Sequence, residues 1–215
     1  MPRHLLPALP VELIFTTTPV SWFCPYPFEK PFEIVRYYDD HPKQPEVLDA
    51  WEVREMFFSI PSDPIALKLF LEWTGRFATR YYPRHDIKLT DIWEWRTLLK
   101  QALARPDWKR LETNFDSRKV ERLANHELSL FLSLRENRHS AVVRTHTTLD
   151  AMISTVQVDI LLGAKYRWCA RPDCRVKIFR VTSAHKRKYC TYDCAHLQSI
   201  RKKRGTVVKV ERDSM

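Results

Sequence analysis

The chain has 215 residues, of which 44% are apolar and 12% aromatic, with only three glycines, fourteen prolines and a formal net charge of +10. That apolar share supports a real core and excludes global disorder. The scarcity of glycine, and the absence of GxGxxG or a P-loop pattern, argues against a nucleotide cradle. No apolar run approaches the roughly 18 residues of a membrane span, and residues 1–10 lack the core and cleavage site of a signal peptide. The expectation is a cytoplasmic protein with no membrane partner, in which clustered cysteines mean metal or catalysis rather than disulfides.

In chain order, residues 11–17 (VELIFTT) and 32–38 (FEIVRYY) read as strands, and the prolines at 19, 25, 27, 31, 42 and 45 disfavour long helices around them. Ser62-Asp63-Pro64 is a helix start, a capping side chain followed by a proline whose missing N–H costs nothing there. Ala66, Leu69, Phe70, Trp73 and Phe77 follow on one face. A second helix begins after Thr90, with Ile92, Trp95, Leu98, Leu99, Ala102 and Leu103 on its apolar face, and ends before Pro106. A third helical stretch is expected over 117–134. A fourth is expected over 147–162, with Leu149, Met152, Ile153, Val156 and Ile160 inward and Gly163 as its C-cap. The fold class predicted is mainly α (α+β), a helical domain over 1–163 with a small β element near its start. A small module over 164–207 and a tail over 208–215 complete the chain.

Charge marks that division. From residue 164 onward there are fifteen Lys and Arg against four acids, so this quarter carries +11 and the first 163 residues −1. Charge concentrated in this way is the footprint of a polyanion partner.

Four of the five cysteines lie in the same quarter: Cys169-x4-Cys174, fifteen residues, then Cys190-x3-Cys194. Two short pairs joined by such a spacer let two chain corners meet around one tetrahedral ion, and Zn2+ favours four thiolates. Pro172 and Asp173 supply turn chemistry inside the first pair. Residues 175–181 alternate basic and apolar as a short strand does. Residues 195–204 read as a helix with Leu197 and Ile200 inward. Cys24 reads as a buried hydrophobe, and His185 and His196 are redundant where four thiols fill the site. No HExxH or HxE pattern supplies the open position and general base of a catalytic zinc, so the site reads as structural and the protein as no enzyme.

Arg187 and Lys188 precede the second pair, and Arg201, Lys202, Lys203 and Arg204 close the last helix; these six are the expected nucleic-acid contacts. Trp168, Tyr166, Tyr189 and Tyr192 are interleaved with basic residues, where aromatics can stack on bases; Trp168 and Tyr189, beside ligands, read as packing of the zinc site.

Trp168-Cys-Ala-Arg-Pro-Asp-Cys174, Ile178-Phe179, Lys186-Arg-Lys-Tyr-Cys190 and the basic helix after them resemble the bacterial CGNR-type zinc finger. In that family the finger follows a helical domain called ABATE, and its members are regarded as stress-related transcription regulators. The resemblance covers about 40 residues. It implies DNA binding, with double-stranded DNA the expected partner, and it leaves self-association or a small effector to the N-terminal domain. Where the family has Cys-Gly-Asn-Arg this chain has Cys194-Ala195-His196-Leu197, so the zinc ligand carries over and the signature Asn and Arg do not. The alternative expectation is a zinc-stabilised protein-interaction or RNA-associated module without sequence-specific DNA binding.

Overall fold

Aspartates start most of the helices. The computed structural model describes residues 11–17, 21–23, 34–38, 46–78, 86–127, 130–135, 138–174, 178–182 and 187–203. The chain begins with β1 (Val11–Thr17), β2 (Ser21–Phe23), β3 (Ile34–Tyr38) and β4 (Glu46–Asp49). Asp49 accepts from the amides of Trp51 and Glu52 and opens α1 (Ala50–Ser59). Asp63 accepts from Ala66 N and, with Pro64 in the first turn, opens α2 (Pro64–Thr74). β5 (Asp86–Lys88) leads directly into α3 (Leu89–Ala104). Asp107 and Asp116 cap the short α4 (Trp108–Asn114) and α5 (Ser117–Ala124). Side-chain oxygens at these positions satisfy amides that a first helical turn leaves without partners.

After α5 come β6 (Leu130–Arg135), β7 (Arg138–Thr145) and α6 (Thr148–Leu161). The remaining elements are β8 (Tyr166–Trp168), β9 (Ile178–Arg180) and α7 (Tyr192–Lys203). The fold is mainly α with a smaller β component, of α+β class. Its largest sheet has the order β4-β1-β7-β6, in which β1 and β7 run parallel and the other pairs antiparallel. β2-β3-β5 form a second sheet and β8-β9 a hairpin.

The continuous helix expected over 117–134 is corrected. Val120 and Leu123 are buried at helical spacing, but the helix stops at Asn125. From residue 128 the sequence LSLFLSL repeats with period two, which suits a strand, and β6 pairs with β7 from Leu130↔Val143 to Arg135↔Arg138. Leu69, expected inward, is 60% exposed, while Leu67, Phe70 and Leu71 carry the buried face of α2.

α6 is the central helix. Leu149, Ala151, Met152, Ile153 and Val156 are at most 1% exposed, and the helix lies against α1, α3, β1 and β7. Burial on every side explains why it carries so few charges. Gly163 ends it at φ 66°, a left-handed conformation that glycine adopts without cost. His126 Nε2 lies 3.0 Å from Ser154 Oγ on this helix. Burial, aided by Arg122 and opposed by Asp150, lowers its pKa below the ordinary 6.5. The folded state therefore holds His126 neutral. Its contribution to stability is complete above about pH 6.5 and is lost as pH falls through the lower folded value. Urea unfolding of His126→Gln is expected to show a shallower acid decline between about pH 6.5 and 5 than the parent; equal slopes would remove His126 as the cause.

Candidate metal centre

The centre is built at the end of α6. Ala164 N donates to Asp159 O at 2.8 Å as the chain leaves the helix. β8 then pairs with β9 from Tyr166↔Arg180 to Trp168↔Ile178, and Val181 N closes the hairpin onto Lys165 O at 2.7 Å. Cys169 follows β8 directly. A turn in which Cys174 N donates to Arg171 O (3.1 Å) brings Cys174 back, and Ala170 N donates to Lys188 O (2.8 Å), joining the two cysteine corners. The second corner is an N-cap: Thr191 Oγ1 accepts from Cys194 N at 3.2 Å in the first turn of α7.

The four sulfurs of Cys169, Cys174, Cys190 and Cys194 all lie within 4.8 Å of one another. Cys190 Sγ is 3.3 Å from Cys194 Sγ and 3.4 Å from Cys174 Sγ, and Cys174 to Cys194 is 3.8 Å. A disulfide would need about 2.05 Å. A tetrahedron of thiolates at about 2.3 Å from one ion needs sulfurs roughly 3.8 Å apart. The donor set fits one metal ion, and Cys174 and Cys194 are the buried pair. Without the ion, burial first, and then hydrogen bonding among the neighbouring sulfurs, pushes the Cys190 thiol up. Burial also opposes ionisation of Cys194, but hydrogen bonding to Thr191 and the adjacent thiols, with the Arg171 charge, outweighs it and brings that thiol down.

Two of the six basic residues expected on nucleic acid brace this centre. Arg201, on α7, forks onto Asp173 with NH1–Oδ1 at 2.6 Å and NH2–Oδ2 at 2.9 Å. This fastens the first corner to the helix carrying Cys194 and holds the Asp173 carboxyl below the usual carboxylate range. Arg187 Nε donates to Tyr189 O at 2.8 Å, its NH2 donates to Cys190 O, and its guanidinium lies 5.5 Å from the Phe179 ring centroid. Lys188 and Lys202 are exposed, with no ion pair among the described residues. Lys203 is the last residue of α7. Arg204 and Cys24 lie outside the described residues, as do Arg175 to Lys177 of the expected strand and His185.

Two local expectations change. Leu197, expected inward, is 43% exposed. Trp168 is also 43% exposed and lines a groove with Gln101, Arg105 and Leu111, so it is no buried plug of the metal site.

Sequence reasoning missed the root of the centre. Arg54 of α1 donates through NH1 to Asp159 Oδ2 (2.6 Å) and through NH2 to the Tyr166 hydroxyl (2.7 Å). That hydroxyl donates to Asp159 Oδ2 at 2.6 Å. The Arg54 and Asp159 side chains are 2% and 1% exposed. Tyr166 and Ile178 belong to the same apolar cluster as α1, α3 and α6, so packing runs without a break across residue 164. The one available signal was Asp159, the single charged residue in the second half of α6.

Fold and site define a mainly α, α+β protein in which four clustered thiols can hold one metal ion. No protein-family model and no curated protein matches the chain. Among the described residues, no helix is long and apolar enough to cross a membrane.

Proposed function

We propose that this protein is a non-enzymatic, zinc-stapled DNA-binding protein that regulates transcription. One observation carries the reading: the segment folded by the cysteine cluster also holds the whole excess of positive charge, +11 against −1 for the rest of the chain. Four thiolates around one ion leave no open coordination position, which favours a structural metal over a catalytic one. The similarity to the CGNR-type zinc finger supports the same assignment. The phosphate contacts proposed are Lys188, Lys202, Lys203 and Arg204, whereas Arg187 and Arg201 shape the module that presents them. The body, residues 1–163, is proposed to sense an effector or to self-associate.

About four phosphate contacts give a salt slope near −3.6, so affinity for duplex DNA should fall about a hundredfold between 50 and 200 mM salt. Fluorescence anisotropy titrations, run on protein with one zinc per chain by elemental analysis, provide the test. Lys188→Ala and Lys202→Ala should each reduce the slope by about one. Binding indifferent to salt, or a zinc content well below one per chain, would remove the proposal. Stable capture of an acidic protein without any DNA binding would support the interaction-module alternative.

A further inference from the structure

α7 presents two unlike faces. Cys194, Gln198 and Arg201 recur at helical spacing and point to the metal centre: Cys194 is buried, Gln198 and Arg201 are half-buried, and Arg201 is forked onto Asp173. About half a turn round the axis lie Tyr192, His196 and Ser199, spaced i, i+4, i+7, all exposed. Lys203 occupies the next position of that stripe by its spacing. Tyr192 is 81% exposed, more than any other large hydrophobic side chain among the described residues. Its ring stacks on His196 with centroids 6.1 Å apart and planes 8° from parallel. The imidazole thus runs parallel to the Tyr192 ring at an offset, and the ring stays largely open to solvent.

We infer that the Tyr192–His196 stack is a platform for an unpaired base of a DNA strand whose phosphates the lysines at the far end of α7 hold. This deepens the DNA-binding reading and rests on it. An orienting neighbour reduces the rotamer freedom a stacking ring must give up, and an exposed flat π-face on a helix that ends in basic residues suits a base better than an apolar protein surface. The stripe itself holds no aliphatic side chain: Leu197 lies well off it and Ile200, at its edge, is half-buried, so a hydrophobic protein partner finds little here. In an unbroken duplex both faces of each base are already covered by its neighbours. Only a base without a partner, in a single strand or a bulge, can reach the ring.

The test compares three labelled DNA probes of one length: a perfect duplex, the same duplex with a two-base bulge, and a single strand. The parent protein should bind the bulge and the single strand about tenfold tighter than the duplex, the scale of one stacked base. Tyr192→Ala should abolish that preference with the salt slope unchanged, and Tyr192→Phe should keep it. Lys202→Ala should weaken all three probes and lower the slope by about one. Zinc content of Tyr192→Ala should match the parent, which shows that the module still folds. Absence of the preference in the parent, or its survival in Tyr192→Ala, overturns the platform while leaving salt-dependent DNA binding intact. Failure of every probe to bind overturns the DNA-binding reading itself.

Discussion

Removing the metal, by chelation or by Cys194→Ser, is expected to unfold α7 and both cysteine corners while β8 remains in place. The reasoning follows what each part has to hold it. α7 is twelve residues long, marginal as an isolated helix in water. Its outer stripe is polar and exposed. Its inward side offers Cys194 and the Arg201–Asp173 fork, and solvent screening makes such a surface ion pair a weak anchor. A structural zinc in a small finger contributes about 10 kcal/mol or more of apparent binding energy, so its loss removes nearly all that docks the helix. β8 differs: its Tyr166, and Ile178 of its partner β9, are part of the main core, and the Tyr166 hydroxyl is bonded to Arg54 and Asp159. Hydrogen exchange should therefore show protection lost in 190–203 and kept at Tyr166 after chelation. Persistent protection in α7 without metal would show that something other than the four thiols holds it.

Legibility followed the reach of the signals. α2 and α3 could be read locally, because a capping residue, a proline at the start or end and a run of apolar residues at helical spacing all lie in one short window. α6 was readable for the same reason, down to the left-handed Gly163. The four-thiol cluster was legible because chelation imposes spacing along the chain, and Cys169, Cys174, Cys190 and Cys194 come together close enough to hold one ion. α1 was hidden by the prolines that precede it, since its cap, Asp49, ends a strand rather than following a recognisable turn. The break at Asn125 was missed because the strand after it is defined by a partner, β7, that the local window does not include. The roles of Arg187 and Arg201 were opaque for a similar reason. A run of basic residues reads as one surface, but a helix distributes successive residues round its axis, and Arg201 falls on the metal side while Lys202 faces solvent.

The buried ion pair was the least legible element and is expected to give the largest effect in the body. Arg54→Met should destabilise the protein by about 3–5 kcal/mol in denaturant unfolding, because it leaves the Asp159 carboxylate, 1% exposed, without its cation. The Tyr166 hydroxyl alone then serves that carboxylate. Tyr166→Phe is a milder insult: the charge pair survives and the two buried hydrogen bonds through the hydroxyl are lost, a cost of about 1–3 kcal/mol. Replacing both charges, as Arg54→Met with Asp159→Leu, should recover most of the loss from the single variant, since desolvation of two ions is avoided along with their attraction. The three side chains come from α1, α6 and β8, so Arg54→Met should also lower metal affinity by freeing the strand that leads into Cys169. A competition titration with a chromophoric chelator measures that coupling. A loss below about 1 kcal/mol for Arg54→Met, outside the range for a broken buried pair, would mean that water serves the Asp159 carboxylate and that the metal centre stands without this root.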